Sequence, residues 1–175
     1  MCGSVPDLEN FLETGKFTTT LYHYTYIIKA ELTLPSTHPD GESDYNITSV
    51  KIDVPQSWKP FMYYGIFNFE TGDFKDTYNT NALQTYLGKI TSDGEVMGIY
   101  CPRSSKVTVY FVGGFRHPTM QFNFNTVSPW TITAYYYLDK SLKTLTATKT
   151  IKSSIDMYSG NMYTMSAELE KVIEY

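Results

Sequence analysis

The stretch Lys106-Val107-Thr108-Val109-Tyr110-Phe111-Val112 alternates side chains along its length. A β-strand produces this period of two when one face is buried and the other meets water. Several further segments share the pattern. Between residues 17 and 34, Tyr22, Tyr24, Tyr26, Ile28, Ala30, Leu32 and Leu34 fall on one face, and Pro35 ends the run. Val50, Ile52 and Val54 share a face before Pro55, and a strand over 61–69 follows Pro60, with Gly65 inside it. Residues 76–81 have no period and read as a long loop, with a strand over 83–87 behind them. Ser92-Asp93-Gly94 is a hairpin-type turn leading to a strand over 96–100. Gly113-Gly114 and Pro118 mark a break. Met120, Phe122 and Phe124 then face one way, as do Trp130, Ile132, Ala134, Tyr136 and Leu138, then Leu145, Ala147 and Ile151, and finally Tyr163, Met165, Ala167 and Leu169.

Roughly ten short strands punctuated by Gly, Pro, Asp and Ser predict an all-β chain, a two-sheet antiparallel β-sandwich with Greek-key connections. A closed barrel is the competing architecture. The chain of 175 residues suits one domain. We place that domain at 17–175, preceded by a tether or short helix at 1–16, where Asp7 is a candidate N-cap and Gly15 a stop. Of the two end segments, the N-terminal one reads as the loosely attached arm. The last strand carries a full apolar face, so it belongs to the fold.

Composition excludes several functions. Aromatic residues make up 16% of the chain, with 16 Tyr and 10 Phe, against 18% charged residues, a balance that favours strands over disorder. Fourteen Lys and Arg against eighteen Asp and Glu give a net charge of −4, so no basic face is expected for nucleic acid. No run of eighteen apolar residues is present to span a bilayer as a helix. Catalytic signatures are missing: there is no Gly-x-Ser-x-Gly elbow, phosphate loop or His-Glu-x-x-His, and His23, His38 and His117 are scattered. We therefore expect no enzyme activity and no cofactor.

The remaining candidates are few. Cys2 and Cys101 have no metal-ligand spacing; Cys101 reads as a buried apolar filler. Asp40-Gly41-Glu42-Ser43-Asp44 alternates oxygen side chains, as do Glu70, Asp73 and Asp76 more loosely, but solvated turns look the same, and no metal site is assigned. Asn46-Ile47-Thr48 fits a glycosylation acceptor only where the source has that machinery. Trp58, in a loop between Pro55 and Pro60, is the candidate platform for stacking on a sugar ring, with loop packing as the alternative. Trp130, in phase with Ile132 and Ala134, reads as core. The run Tyr135-Tyr136-Tyr137 reads as strand filling with hydroxyls at the surface.

Three places carry a family resemblance. Leu21-Tyr22-His23-Tyr24-Thr25-Tyr26-Ile27-Ile28-Lys29-Ala30-Glu31-Leu32 resembles the His-containing strand that opens one domain of fimbrillin-like proteins, and Ile47-Thr48-Ser49-Val50-Lys51-Ile52 resembles their next strand. Ser159-Gly160-Asn161-Met162-Tyr163-Thr164-Met165-Ser166-Ala167-Glu168-Leu169 is similar to their closing strand, and Tyr100-Cys101-Pro102 to a Pro-containing middle strand. The resemblance implies a transthyretin-like sandwich of a Bacteroidetes-type pilin or surface lipoprotein, with assembly by donated strands. Only one domain fits here. The first Arg is Arg103, which leaves no N-terminal Arg for a trypsin-like maturase, so a shaft pilin is not expected. The resemblance further implies that Cys2 is the lipidated residue of a protein held at the outer membrane of a Gram-negative cell, the alternative being an ordinary start-site residue. The expected function is thus non-enzymatic adhesion or pilus-like assembly. Its partners would be other surface or pilus proteins, or self-association through edge strands, and the membrane would be met only through a lipid anchor. A carbohydrate-binding module is the second reading.

Overall fold

The structure is a computed structural model that describes residues 2–4, 20–22, 24–38, 44–54, 61–68, 71, 73–90, 92–93, 96–114, 121–123, 128–138, 141–151 and 156–171. None of these is helical. The strands are β1 (Cys2–Ser4), β2 (Thr20–Tyr22), β3 (Thr25–Thr33), β4 (Tyr45–Asp53), β5 (Phe61–Asn68), β6 (Asp73–Thr80), β7 (Ala82–Tyr86), β8 (Lys89–Ile90), β9 (Val96–Met97), β10 (Ile99–Cys101) and β11 (Lys106–Gly114). They continue with β12 (Gln121–Asn123), β13 (Ser128–Leu138), β14 (Ser141–Ile151), β15 (Asp156–Tyr158), β16 (Met162–Glu168) and β17 (Glu170–Lys171).

Two sheets form the sandwich. One has the order β16-β3-β11-β5-β6; the other has β10-β4-β13-β14-β17, with β7 also on β4. The expected alternation sets their inner faces. Tyr26, Ile28, Ala30 and Leu32 of β3 and Val107, Val109 and Phe111 of β11 are buried against Ile47, Val50 and Ile52 of β4 and Ile132, Ala134 and Leu145 of the β13–β14 hairpin. Aromatic edges tie the layers together, with the Phe61 and Trp130 rings 6.4 Å apart at 89°. Trp130 is buried, as its phase predicts, and so is Cys101, read as an apolar filler.

Several elements differ from the sequence reading. Residues 76–81 are not a loop, since 73–80 form β6 against β5, with register shifts within 62–66 that hide the period. Gly113 and Gly114 do not break a strand but complete β11, where Gly113 is the cross-strand partner of Tyr26. A Cβ on Gly113 would lie 2.2 Å from the Tyr26 ring, so the glycine makes room for a buried aromatic. Residues 96–100 split at Gly98: β9 pairs with β8, and β10 with β4. Gly98 is needed there, because a Cβ would fall 2.4 Å from the Ile47 carbonyl oxygen. The long N-terminal strand divides into β2 and β3. Cys2–Ser4, expected within a loose arm, pairs antiparallel with Thr20–Tyr22.

The sandwich is also not purely antiparallel. β16 runs parallel to β3 from Met162↔Ile27 to Glu168↔Thr33. Nearly the whole domain separates these two strands in sequence, so no short hairpin dictates their direction. The turn before β16 sets it: the Gly160 amide donates to the Thr25 carbonyl at 2.7 Å, and the Ile27 amide donates to the Asn161 carbonyl at 3.0 Å. At buried Leu169, whose amide donates to the Thr33 carbonyl at 2.9 Å, the chain leaves one sheet and enters the other as β17.

Candidate functional site: sheet edges and the capped end

The outer strands decide what a sandwich can pair with, because their backbone groups are a template for another chain. β7 lies beside the other sheet, and the Thr85 hydroxyl donates to the Tyr110 carbonyl of β11 at 2.9 Å, closing that flank. β6 carries Asp73, Lys75 and Asp76 in its sequence. On the opposite flank, β14 is paired along its full length with β13, but on its other side only Leu145 and Thr146 meet β17. Lys143 and Lys149 stand opposite the buried Tyr136 and Trp130, on the core-facing side of this edge. Both are exposed, and lysines in that phase of an edge strand hinder an incoming strand, which would have to bury their charge.

β16 is different. Its sole ladder partner among the described residues is β3, and its core-facing residues are Tyr163, Met165 and Ala167, all half-buried and uncharged. Between β14 and β16 runs a groove of about 870 Å³, lined by residues 146–149 on one side and 166–168 on the other, with Thr33 and Lys106 at its end. A second cleft of about 680 Å³ shares Thr33, Glu168 and Glu170 with it and continues past Pro35, His38 and Ser104.

That end of the sandwich is capped by a polar cluster. His38 is buried, its ring 4.7 Å from that of Tyr45 and 5.7 Å from that of Tyr136. Tyr45 donates to the Thr37 carbonyl at 2.8 Å, and burial pushes its phenol up to about 12. The neighbouring Asp44 accepts from the Tyr100 hydroxyl at 2.5 Å and from the Arg103 amide at 3.1 Å. These bonds, with the Tyr100 bond the larger, hold its carboxyl below the usual range. Arg103 is the second residue of the Pro102–Ser105 turn, closed by the Ser105 amide donating to the Pro102 carbonyl at 3.2 Å. Ser104 adopts φ 58°, the position a type II turn normally gives to glycine. The arrangement is a clasp joining β4, the 34–38 segment and this turn. Within it Asp44 accepts from two donors and the His38 ring packs on two tyrosines.

The sequence candidates fare unevenly. Trp58, His23, His117, residues 40–43, Glu70 and the proposed helix at 6–15 lie outside the described residues, and of Cys2 only the backbone, in β1, is described. Thr48 of the glycosylation acceptor pattern is buried, with its hydroxyl donating to the Tyr135 carbonyl at 3.2 Å. Among the described residues no group of three or more His, Cys, Asp or Glu could hold a metal. Sequence reasoning missed the burial of His38, which it counted as one of three scattered histidines. The signal available was the pair of phase-matched tyrosines, Tyr45 and Tyr136, that need a partner at the sandwich end. Comparison with protein-family models, with curated proteins and with solved structures finds no match to this chain.

Proposed function

We propose that the chain is a non-enzymatic adhesion or assembly domain of a bacterial surface, associating with further copies of itself by adding a strand to β16. One observation carries the reading: among the described residues β16, an outer strand of seven residues where β10 has only three, has one ladder partner and an uncharged core-facing row, Tyr163, Met165 and Ala167. Strand addition draws affinity from backbone hydrogen bonds and specificity from pockets for alternate side chains, which the groove beside β16 supplies. Cys2 serves in this proposal as the lipidated residue at the outer membrane of a Gram-negative cell. Intact mass of the protein taken from its native envelope tests that part, and an unmodified Cys2 thiol refutes it.

The edge is tested by placing on β16 the guard that β14 already has. Ala167→Lys puts a charge on the core-facing side of the edge, whereas Ser166→Lys puts one on the outward side. Sedimentation velocity over a range of concentrations should show self-association for the native chain and Ser166→Lys and its loss in Ala167→Lys. Association that survives Ala167→Lys, in a chain that remains folded, removes β16 as the joining edge.

A further inference from the structure

On the outer face of the six-stranded sheet, β4 contains a β-bulge. Tyr135 is opposite Ser49 and Tyr136 is opposite Ile47, so Thr48 is the extra residue, its hydroxyl bonded to the Tyr135 carbonyl. The bulge is also where β4 changes its edge partner. The Leu87 amide donates to the Thr48 carbonyl at 2.8 Å, the β8–β9 hairpin leaves the sheet there, and β10 takes over the edge from β7.

This local geometry arranges tyrosines in two rows. Leu83 is buried, so Tyr86, three residues on, points outward; Cys101 is buried, so Tyr100 points outward too. They are 71% and 73% exposed, unusual for rings fixed on paired strands. In the first row Tyr86 and Tyr135 flank Ser49 from either side. Two strand spacings separate them, about 10 Å. In the second row Tyr100 is opposite Asn46, and Tyr137, 39% exposed, lies two residues along β13 from Tyr135. The Tyr100 ring is fixed by its bond to Asp44. Ser49 is itself buried and accepts from the Gln84 amide at 3.1 Å.

We infer that this tyrosine face is a binding site for a neutral polysaccharide. Sugar rings have an apolar C–H face that packs on an exposed aromatic and a hydroxyl rim that needs hydrogen-bonding neighbours, here Asn46, Gln84 and the tyrosine hydroxyls. Charge on the face is cancelled locally, with Lys51 2.9 Å from Asp53 and Arg103 3.8 Å from Asp44. A charged polymer gains nothing from it, whereas an uncharged polyhydroxyl chain loses no ionic solvation on arrival. Protein interface cores also take up tyrosine, so a second copy of the chain is the competing occupant that the test separates. Two rows about 10 Å across suit an extended polymer better than a single sugar.

The test is affinity electrophoresis of the intact chain in gels containing soluble β-glucan, glucomannan, xyloglucan or dextran, with alginate as the charged control. Retardation by at least one neutral polymer is expected, weakened about tenfold by Tyr86→Ala, with unchanged melting, or by Tyr100→Ala, which also loses the bond to Asp44. Tyr100→Phe, which keeps the ring, should retain most binding. No retardation by any neutral polymer overturns the proposal. So does retardation by alginate alone, or neutral-polymer binding indifferent to both alanine variants. Self-association abolished by Tyr86→Ala without any retardation would assign the face to a second copy and also overturn it. If Tyr100→Ala unfolds, Tyr86→Ala alone decides, because that ring lies exposed at the end of β7.

Discussion

Gly113→Ala is the substitution that most sharply tests the packing. Gly113 is opposite Tyr26 in the β3–β11 ladder, and the buried Tyr26 ring folds over it so closely that a methyl would lie 2.2 Å from the ring carbon and 2.3 Å from the hydroxyl oxygen. Overpacking of this kind costs about 1–3 kcal/mol. Against it, replacing a strand glycine by alanine recovers about 0.5–1 kcal/mol of chain entropy. Tyr26 cannot swing away cheaply, since its ring also packs 6.5 Å from Phe61. A contact as close as 2.2 Å puts the steric cost in the upper half of its range, so it wins, with a net loss of about 1–2.5 kcal/mol and a fall in Tm of about 2–10 °C for a chain of this size. Differential scanning calorimetry with urea unfolding measures it. The mechanism makes a second demand: in a Tyr26→Leu background the penalty should vanish or reverse, giving a coupling energy above about 1 kcal/mol. A Gly113→Ala penalty that persists undiminished in that background, or no penalty in the native chain, refutes the account of the glycine as room for Tyr26.

The Tyr45 phenol, held up to about 12 by burial, should make alkaline stability fall across a defined window. Between about pH 10, where an unfolded tyrosine ionises, and pH 12 the folded state keeps a proton that the unfolded state has lost, so stability drops as pH rises. Tyr45→Phe should lessen that slope, to which the raised phenols of Tyr26 and Tyr100 also contribute, while costing about 0.5–1.5 kcal/mol at neutral pH for the lost bond to Thr37, read from urea midpoints at each pH. The guarding role of Lys143 and Lys149 predicts that the double Thr variant remains folded but forms oligomers or thioflavin-positive aggregates at concentrations where the native chain does not. Light scattering checks this, and unchanged solubility contradicts it.

The inner faces of β3, β4, β11, β13 and β14 were legible because burial on one side imprints a period of two that no other structure shares. Tyr26, Ile52, Val109 and Ile132 were placed by that rule alone. What escaped was written in different terms. β6 faces a partner with two register shifts, and each shift moves the residues beyond it out of phase. Gly113 and Gly114 look like punctuation because a glycine that relieves a turn and one that yields to a neighbouring ring are the same letter. The parallel direction of β16 depends on bonds from a turn to a strand far away in sequence, and no local pattern records them. The clasp at the sandwich end was equally invisible, because His38, Asp44 and Arg103 come from three separate connections.

Edge chemistry and face chemistry divide this molecule in a way that bears on both proposals. β7 is closed onto β11 by the Thr85 bond, β14 carries exposed lysines in phase with its core-facing row, and β6 carries three charged residues among its first four. Protection so unevenly spread leaves β16, whose one ladder partner among the described residues is β3, as the outer strand whose core-facing row carries no charge. The tyrosine rows depend on a different feature, the Thr48 bulge, in the other sheet. A strand added at β16 covers the flank between the sheets, whereas the tyrosines lie on the outer face beyond β4. An assembled array would therefore keep every tyrosine face open, and weak binding of one sugar chain by each copy would multiply along it. Effective concentration, rather than tight individual contacts, would then set how firmly such a surface adheres.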